Sequence, residues 1–307
     1  MTGNWNLARR RSALWARARI LAEIRRFFVE GGYLEVETPL RIPAPAPESH
    51  IDPVPSGPWF LQTSPELCMK RLVAAGYERV FQISRCWRDG ERGNMHLPEF
   101  TMLEWYRAGT DYRGLMNECE ELVGAVAAAL GMGEVLNVKG RNIRLGAPWE
   151  RLSVAEAFER YCDRTMEEAL ANDTFDECMV NDIEPRLGFA TPTFICDYPA
   201  DRGALARLKQ DEPSRAERFE LYIAGVELAN AFSELTDPVE QRSRFEQEKL
   251  FRESRGKSAI PLPEPFLAEL HHLPPTAGIA LGIDRMVMLL LDLDSIDDVV
   301  AFTPEEL

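Results

Sequence analysis

Basic residues are scarce in this chain. Its 35 lysines and arginines stand against 50 aspartates and glutamates, a formal net charge of −15. A protein that grips a long nucleic acid gains affinity by neutralising phosphates with Lys and Arg. The acidic balance therefore weighs against such a partner unless a local basic patch supplies the charge. Long apolar runs are missing too. No stretch approaches the ~18 residues that a membrane span needs, and the N-terminus has no apolar signal-peptide core. The six cysteines (Cys68, Cys86, Cys119, Cys162, Cys178, Cys196) are scattered, with no C-x-x-C pair. This argues against a zinc site and a disulfide framework, and suits a reducing cytoplasm. Repeats, low-complexity tracts and composition shifts are also absent, so residues 1–307 read as one domain.

What remains is an ordinary globular composition, 45% hydrophobic and 28% charged, enough for one substantial core. The first 22 residues hold five arginines (Arg9, Arg10, Arg11, Arg17, Arg19) and no acid. That resembles a transit peptide, but they read better as the opening of an amphipathic helix. Leu14, Ala18, Leu21, Ile24 and Phe28 recur at helical spacing up to Gly31-Gly32, which predicts a helix over 12–32. Alternation from Tyr33 to Pro39 predicts a strand, and Pro43, Pro45 and Pro47 mark an irregular connector. Further on, the pattern predicts a helix at 65–76, strands at 79–88 and 98–107, and a helix at 113–131. Residues 150–190 read as mostly helical. A strand pair follows at 193–198 and 219–234, then a charged helix at 237–254, a loop at 255–265 and an apolar strand running into a helix at 279–291. Strands separated by long connections, without βαβ alternation, imply an α+β fold with a mainly antiparallel sheet.

Four segments then fit one pattern, in order. Residues 20–39 resemble motif 1 of the class II aminoacyl-tRNA synthetases, a helix and strand ending in proline. Residues 79–107, R-V-F-Q-I-S-R-C-W-R-D-G-E-R-G-N-M-H-L-P-E-F-T-M-L-E-W-Y-R, resemble motif 2. Residues 278–291, G-I-A-L-G-I-D-R-M-V-M-L-L-L, resemble motif 3, and G-V-E-L-A-N-A-F-S-E-L at 225–235 is similar to the lysine branch of that family.

The resemblance implies activation of a lysine-like amino acid by ATP and Mg²⁺ as an adenylate. It assigns Arg88 to the α-phosphate and the amino-acid carboxylate, where a planar guanidinium can bond two oxygens at once. Arg285 falls to the γ-phosphate. Asp89, Glu91, Phe100, Leu228 and Gly282 join these two around ATP, with the Phe100 ring stacking on adenine. Glu227 and Glu234 would hold Mg²⁺, which prefers oxygen ligands. Ser64, Pro65, Glu66, Glu104, Tyr106, Glu234 and Ala280 would line the amino-acid pocket. Glu104 and Tyr106 lie two apart on one strand and so face one side, and a buried carboxylate demands a cationic partner. Motif 1 implies a two-fold dimer.

Departures matter as much. Family members usually follow the motif 2 arginine with R-x-E, whereas Asp89-Gly90-Glu91 puts glycine at the third place, which leaves Glu91 to take the role from the neighbouring position. The asparagine of H-x-P is replaced in His96-Leu97-Pro98. His96 is given no chemistry, and His271 and His272 read as helix-end residues. Lysyl-tRNA synthetases carry an anticodon-binding barrel before motif 1, which here starts near residue 12, and they have glycine where this chain has Ala280. Both features are shared by the elongation factor P (R)-β-lysine ligases. The expected acceptor is thus a lysine of elongation factor P rather than tRNA, reached through local cations on the opening helix and Arg92. A tRNA-charging truncated synthetase and a silent amino-acid sensor are the alternatives.

Overall fold

The computed structural model describes residues 5–307. Helix α1 (Arg11–Glu30) buries Ala13, Ile20, Ile24 and Phe28 along one stripe. It stops where Gly31 and Gly32 close its end, Gly32 at φ +76°, a conformation that costs glycine nothing. The following strand is shorter than its alternation suggests. Only Leu34–Glu35 (β1) pair in the sheet, parallel to β2 (Arg79–Trp87). Val36 N still donates to Phe81 O at 2.9 Å, but Pro39 has no N–H to continue the ladder.

β2 and β3 (Glu99–Ala108) form a long antiparallel pair. Helix α2 (Glu66–Ala74) precedes them, and helix α3 (Tyr112–Ala129) follows, capped by the Asp111 carboxylate on the N–H groups of Arg113 and Gly114. Two short strands at 135–138 and 141–144 make a separate hairpin that the sequence reading missed. The 150–190 stretch opens on a strand, β4 (Glu150–Ser153), before its helices at 154–161, 166–171 and 175–178. The strand predicted at 219–234 is two strands. After β5 (Thr193–Pro199), β6 (Arg215–Ile223) and β7 (Val226–Ser233) turn at Ala224 and Gly225, both at positive φ, which gives the tight turn of a two-residue hairpin. Helix α4 (Pro238–Ser254) follows, and the loop after it ends early, at a short helix over 264–269. Strand β8 (Thr276–Gly282) runs directly into helix α5 (Ile283–Leu290).

The eight strands lie in the order β1-β2-β3-β8-β7-β6-β5-β4. The two outermost pairs are parallel and all the others antiparallel, the α+β class that the sequence predicts. Alternation splits the sheet into two faces. Phe81, Leu103, Trp105, Ile279, Leu281, Ala231, Phe219 and Leu221 belong to the main apolar core with residues of α1, α3 and α5. The other face of the same strands is polar, and the functional site lies there.

Candidate active site

One row across five strands reads Gln82, Glu104, Ala280, Asn230, Glu220, and the next reads Tyr106, Gly278, Phe232, Arg218. The central members of these rows, Glu104, Tyr106, Gly278, Ala280, Asn230 and Phe232, floor a cavity of about 230 Å³, closed by the loop after β2, the start of α2 and the start of α5. Ser64, Glu66, Arg88, Glu91, Phe100, Glu104, Tyr106, Glu227, Leu228, Ala280, Gly282 and Arg285 all line it. The remaining three predicted residues, Pro65, Asp89 and Glu234, are not part of its lining. Pro65 is buried at the start of α2 and backs the turn. Asp89 is exposed and faces a second, shallow depression with Asp52, Arg252 and Lys257.

Glu227 and Glu234 are seven apart, an odd spacing that would send them to opposite faces of a regular strand. A β-bulge removes the difficulty. Leu221 pairs with Ala229 and Tyr222 with Glu227, so Leu228 is the extra residue. Leu228 and Ala229 both join the apolar core, and Glu227 comes round to the face of Asn230 and Phe232.

At the amino-acid end, three glutamates converge. Glu104 is 1% exposed and accepts from Ser64 Oγ at 2.6 Å and Tyr106 Oη at 2.9 Å. Its carboxyl is pushed up to about 8, first by burial and then by the charge of Glu66. Burial, then Glu104, likewise raises the Tyr106 phenol. Glu234, also 1% exposed, is pushed up to about 8 by burial, against the pull of Lys70. Gly278 has to be glycine here. A Cβ would sit 2.2 Å from Tyr106 Cε1 and 2.3 Å from Glu234 Oε1.

At the other end stand the arginines. The Arg88 guanidinium lies 5.2 Å over the Phe100 ring and 3.9 Å from Glu91, and its buried Nε has no partner among the described residues. That orphaned donor fits an anionic ligand, because a buried N–H without an acceptor is costly. Arg285 is gripped from three sides. It donates to Met95 O (3.3 Å), to Glu227 O (2.8 Å) and Oε2 (3.1 Å), and to His96 Nε2 (2.7 Å). His96 therefore has a task that its sequence context did not suggest. Burial, and then the Arg285 charge, hold its ring below the ordinary histidine range, so it stays a neutral acceptor.

Glu227 and Glu234, the pair expected for a divalent cation, keep different company. Glu234 is held by Lys70 and turned to the amino-acid end. The carboxylate that bears on Glu227 is Glu220, which after burial is the largest cause of the raised Glu227 value. Each of the three carboxylates is met by a cation, Glu227 by Arg285, Glu220 by Arg218 and Glu234 by Lys70, and of the three only Glu227 is part of the cavity lining. Glu220 is braced by Tyr198 Oη and Tyr222 Oη, each at 2.8 Å, and by Arg218.

The cationic patch expected for the acceptor is largely spent on the chain's own C-terminus. Arg92 pairs with Glu305 and Asp297, Arg9 with Asp298 and Arg10 with Glu306, while Arg17 is buried on Asp284 and Thr101. Away from the cavity, Cys162, Cys178 and Asp182 bring three donor atoms within 4.8 Å of one another, one short of a four-ligand structural zinc site.

Five site residues escaped the sequence reading. Asn230 stands at even register with Glu234 inside the quoted segment, so counting by twos finds it. Lys70 follows Glu66 by four on a helix, a pairing signal. Glu220 and His96 had weaker signals. Glu48, which lines the cavity and is raised to about 7 by burial against the pull of Arg88, comes from the proline-rich connector and had none.

The architecture and the site together define a class. The family model of class II tRNA synthetases (D, K and N) matches residues 5–306, and the chain belongs to this family. Among individual proteins, it is 39% identical to the elongation factor P–(R)-β-lysine ligase of Proteus mirabilis, with 97% of each chain covered. It is 40% identical to the proteins of that name from Salmonella dublin and Salmonella agona, with 98% of each covered.

Proposed function

We propose that this chain is an ATP-dependent ligase that activates (R)-β-lysine as its adenylate and transfers the acyl group to a lysine of elongation factor P. The observation that carries the reading is a cavity with Glu66, Glu104 and Tyr106 at one end, backed by Glu234 beside Gly278, and with Arg88 and Arg285 at the other. Anionic groups for a cationic side chain and cationic groups for phosphates share one enclosure. The full-length likeness to the ligases named above supports the choice of substrates.

In the first step a carboxylate oxygen of the amino acid attacks the α-phosphorus of ATP, and pyrophosphate departs. Arg88, with its unpaired Nε, is suited to draw the two anions together, and Arg285 to hold the outer phosphate. Phe100 offers the ring for adenine. Mg²⁺ with Glu227 among its ligands would supply charge neutralisation on the phosphates. In the second step the acceptor ε-amine attacks the acyl carbon, AMP leaves with the bonding electron pair, and the amine loses its proton. Trp15, Val29, Leu34 and Leu40, exposed apolar side chains on α1, β1 and the connector that match motif 1, support a two-fold dimer through these elements. An ATP- and translation-linked reaction fits the cytoplasm, and no helix among the described residues is long and apolar enough to cross a membrane.

Incubation with ATP and β-lysine should add one lysyl-sized mass to elongation factor P, read by intact-mass spectrometry. Efficient charging of tRNA with no mass gain on the factor would favour a tRNA-directed synthetase instead.

A further inference from the structure

Lys70 is a fully buried ammonium, 1% exposed, in a cage meant for someone else's. It stands one helical turn after Glu66, its Nζ 2.5 Å from Glu66 Oε1 and in contact with Glu234 Oε2. The three glutamates thus differ in company. Glu66 and Glu234 share a fixed cation, whereas Glu104, among the described residues, has no ion pair and accepts from the neutral hydroxyls of Ser64 and Tyr106. Glu234 Oε1 has no hydrogen-bond partner among the described residues and points to the space beside Gly278.

We propose that Lys70 is a positioning residue that sets the charge of the amino-acid pocket: it ties Glu66 to Glu234 and leaves Glu104 with Tyr106 as the seat of the substrate's side-chain ammonium. The count of charges supports this. In the occupied pocket, with the carboxylates ionised by the arriving substrate, three carboxylates less one ammonium leave two negative charges, which match the two ammonium groups of a lysine-like substrate whose carboxylate goes to Arg88. Without Lys70 the surplus charge would draw the substrate ammonium into the gap between Glu66 and Glu234. Its carboxylate would then be carried away from Arg88. A purely packing role would predict none of this, because a buried lysine replaced by methionine keeps its volume and stem.

This inference rests on the ligase reading, and the test separates the two. Amino-acid-dependent ATP–pyrophosphate exchange is measured with lysine and β-lysine for the wild type, Lys70→Met, Lys70→Arg and Lys70→Ala. Lys70→Met should lower kcat/KM by roughly 30-fold or more, the usual effect of stranding one member of a buried charge pair. Lys70→Arg should retain more activity than Lys70→Met. Methylammonium should restore activity to Lys70→Ala, and methanol should not. A folded Lys70→Met within about threefold of wild type, or rescue by methanol as good as by methylammonium, would overturn the proposal alone. If Lys70→Met does not fold, an Arg variant as inactive as the Ala variant would overturn it. No exchange by the wild type with either amino acid would overturn the ligase reading and this inference with it.

Discussion

The two ends of the cavity solve the same problem, holding buried charge, in opposite ways. At the amino-acid end the floor stands on sheet strands, with Glu66 and Lys70 packed onto it from α2. Glu104 and Tyr106 are neighbours on β3, Gly278 and Ala280 face them from β8, and the register of the ladder fixes who meets whom. At the phosphate end the groups stand where strands stop. Arg88 lies just past β2, His96 in the loop beyond it and Arg285 in the first turn of α5. There the charges are held by one another and by backbone carbonyls rather than by a ladder. A pocket that must tell one amine from another gains from a rigid floor. A site that must receive and release a triphosphate gains from groups on segments that can shift.

The sharpest break in this contrast is Arg285→Ala. Removing one preorganised charge-stabilising donor costs roughly 3–4 kcal/mol, or about 10²–10³ in rate. It also releases Glu227 and His96 from their shared partner. Lysine-dependent ATP–pyrophosphate exchange should nearly vanish while lysine still protects the protein in a thermal-shift assay. Exchange at the wild-type rate would remove Arg285 from the phosphate end and favour a silent amino-acid sensor.

This division also explains what could be read from the sequence. Period-two alternation put Glu104 and Tyr106 on one face without any structure, and the four motifs located the strands that make the floor. Glu227 and Glu234 came as a pair from the resemblance to the family, seven apart on one strand-like segment. How they lie depends on a bulge at Leu228, and their neighbours Lys70 and Glu220 are contributed by a helix and by the next strand. The hairpin turn at Ala224-Gly225 was hidden because an apolar run on both sides of it reads as one strand. Arg92 and the arginines of the opening segment looked like a free patch because the acids that meet them come from the far end of the chain, some 200–300 positions later. Composition records charges and leaves out their partners.

The rigid end is probed by Ala280→Gly. Ala280 sits between Glu104 and Asn230 in the central row and lines the cavity. A single methyl in a tight pocket discriminates by about 1–3 kcal/mol, roughly 10–200-fold. Moving the substrate amine from C3 to C2 changes which space must be empty. Exchange with α-lysine should therefore rise relative to β-lysine. An unchanged ratio of the two kcat/KM values would show that the row does not read the difference at this position.

The smallest effect is the most particular to the amino-acid end, and it is a dependence on pH. Glu104 is raised to about 8, by burial first and then by Glu66, so near pH 7 the empty pocket keeps a proton on this carboxyl. A substrate ammonium needs the ionised form, and its arrival must expel that proton. Affinity for the amino acid should therefore climb as pH rises and level off above about 8, with KM falling about tenfold between pH 7 and pH 9. The same shift acts on stability in the other direction. The folded carboxyl holds a proton that the unfolded chain releases at ordinary carboxylate values. Its contribution to stability is thus present at low pH and declines as pH rises from about 4.5 towards 8. The ligand-free protein should lose melting temperature over the range in which the substrate gains grip, so the stabilisation by lysine should widen with pH. Glu104→Gln cannot ionise. It should bind the amino acid poorly at every pH and flatten both trends. A KM that is level from pH 7 to pH 9 in the wild type, or a slope that survives in Glu104→Gln, would move the proton, and with it the seat of the substrate ammonium, away from Glu104.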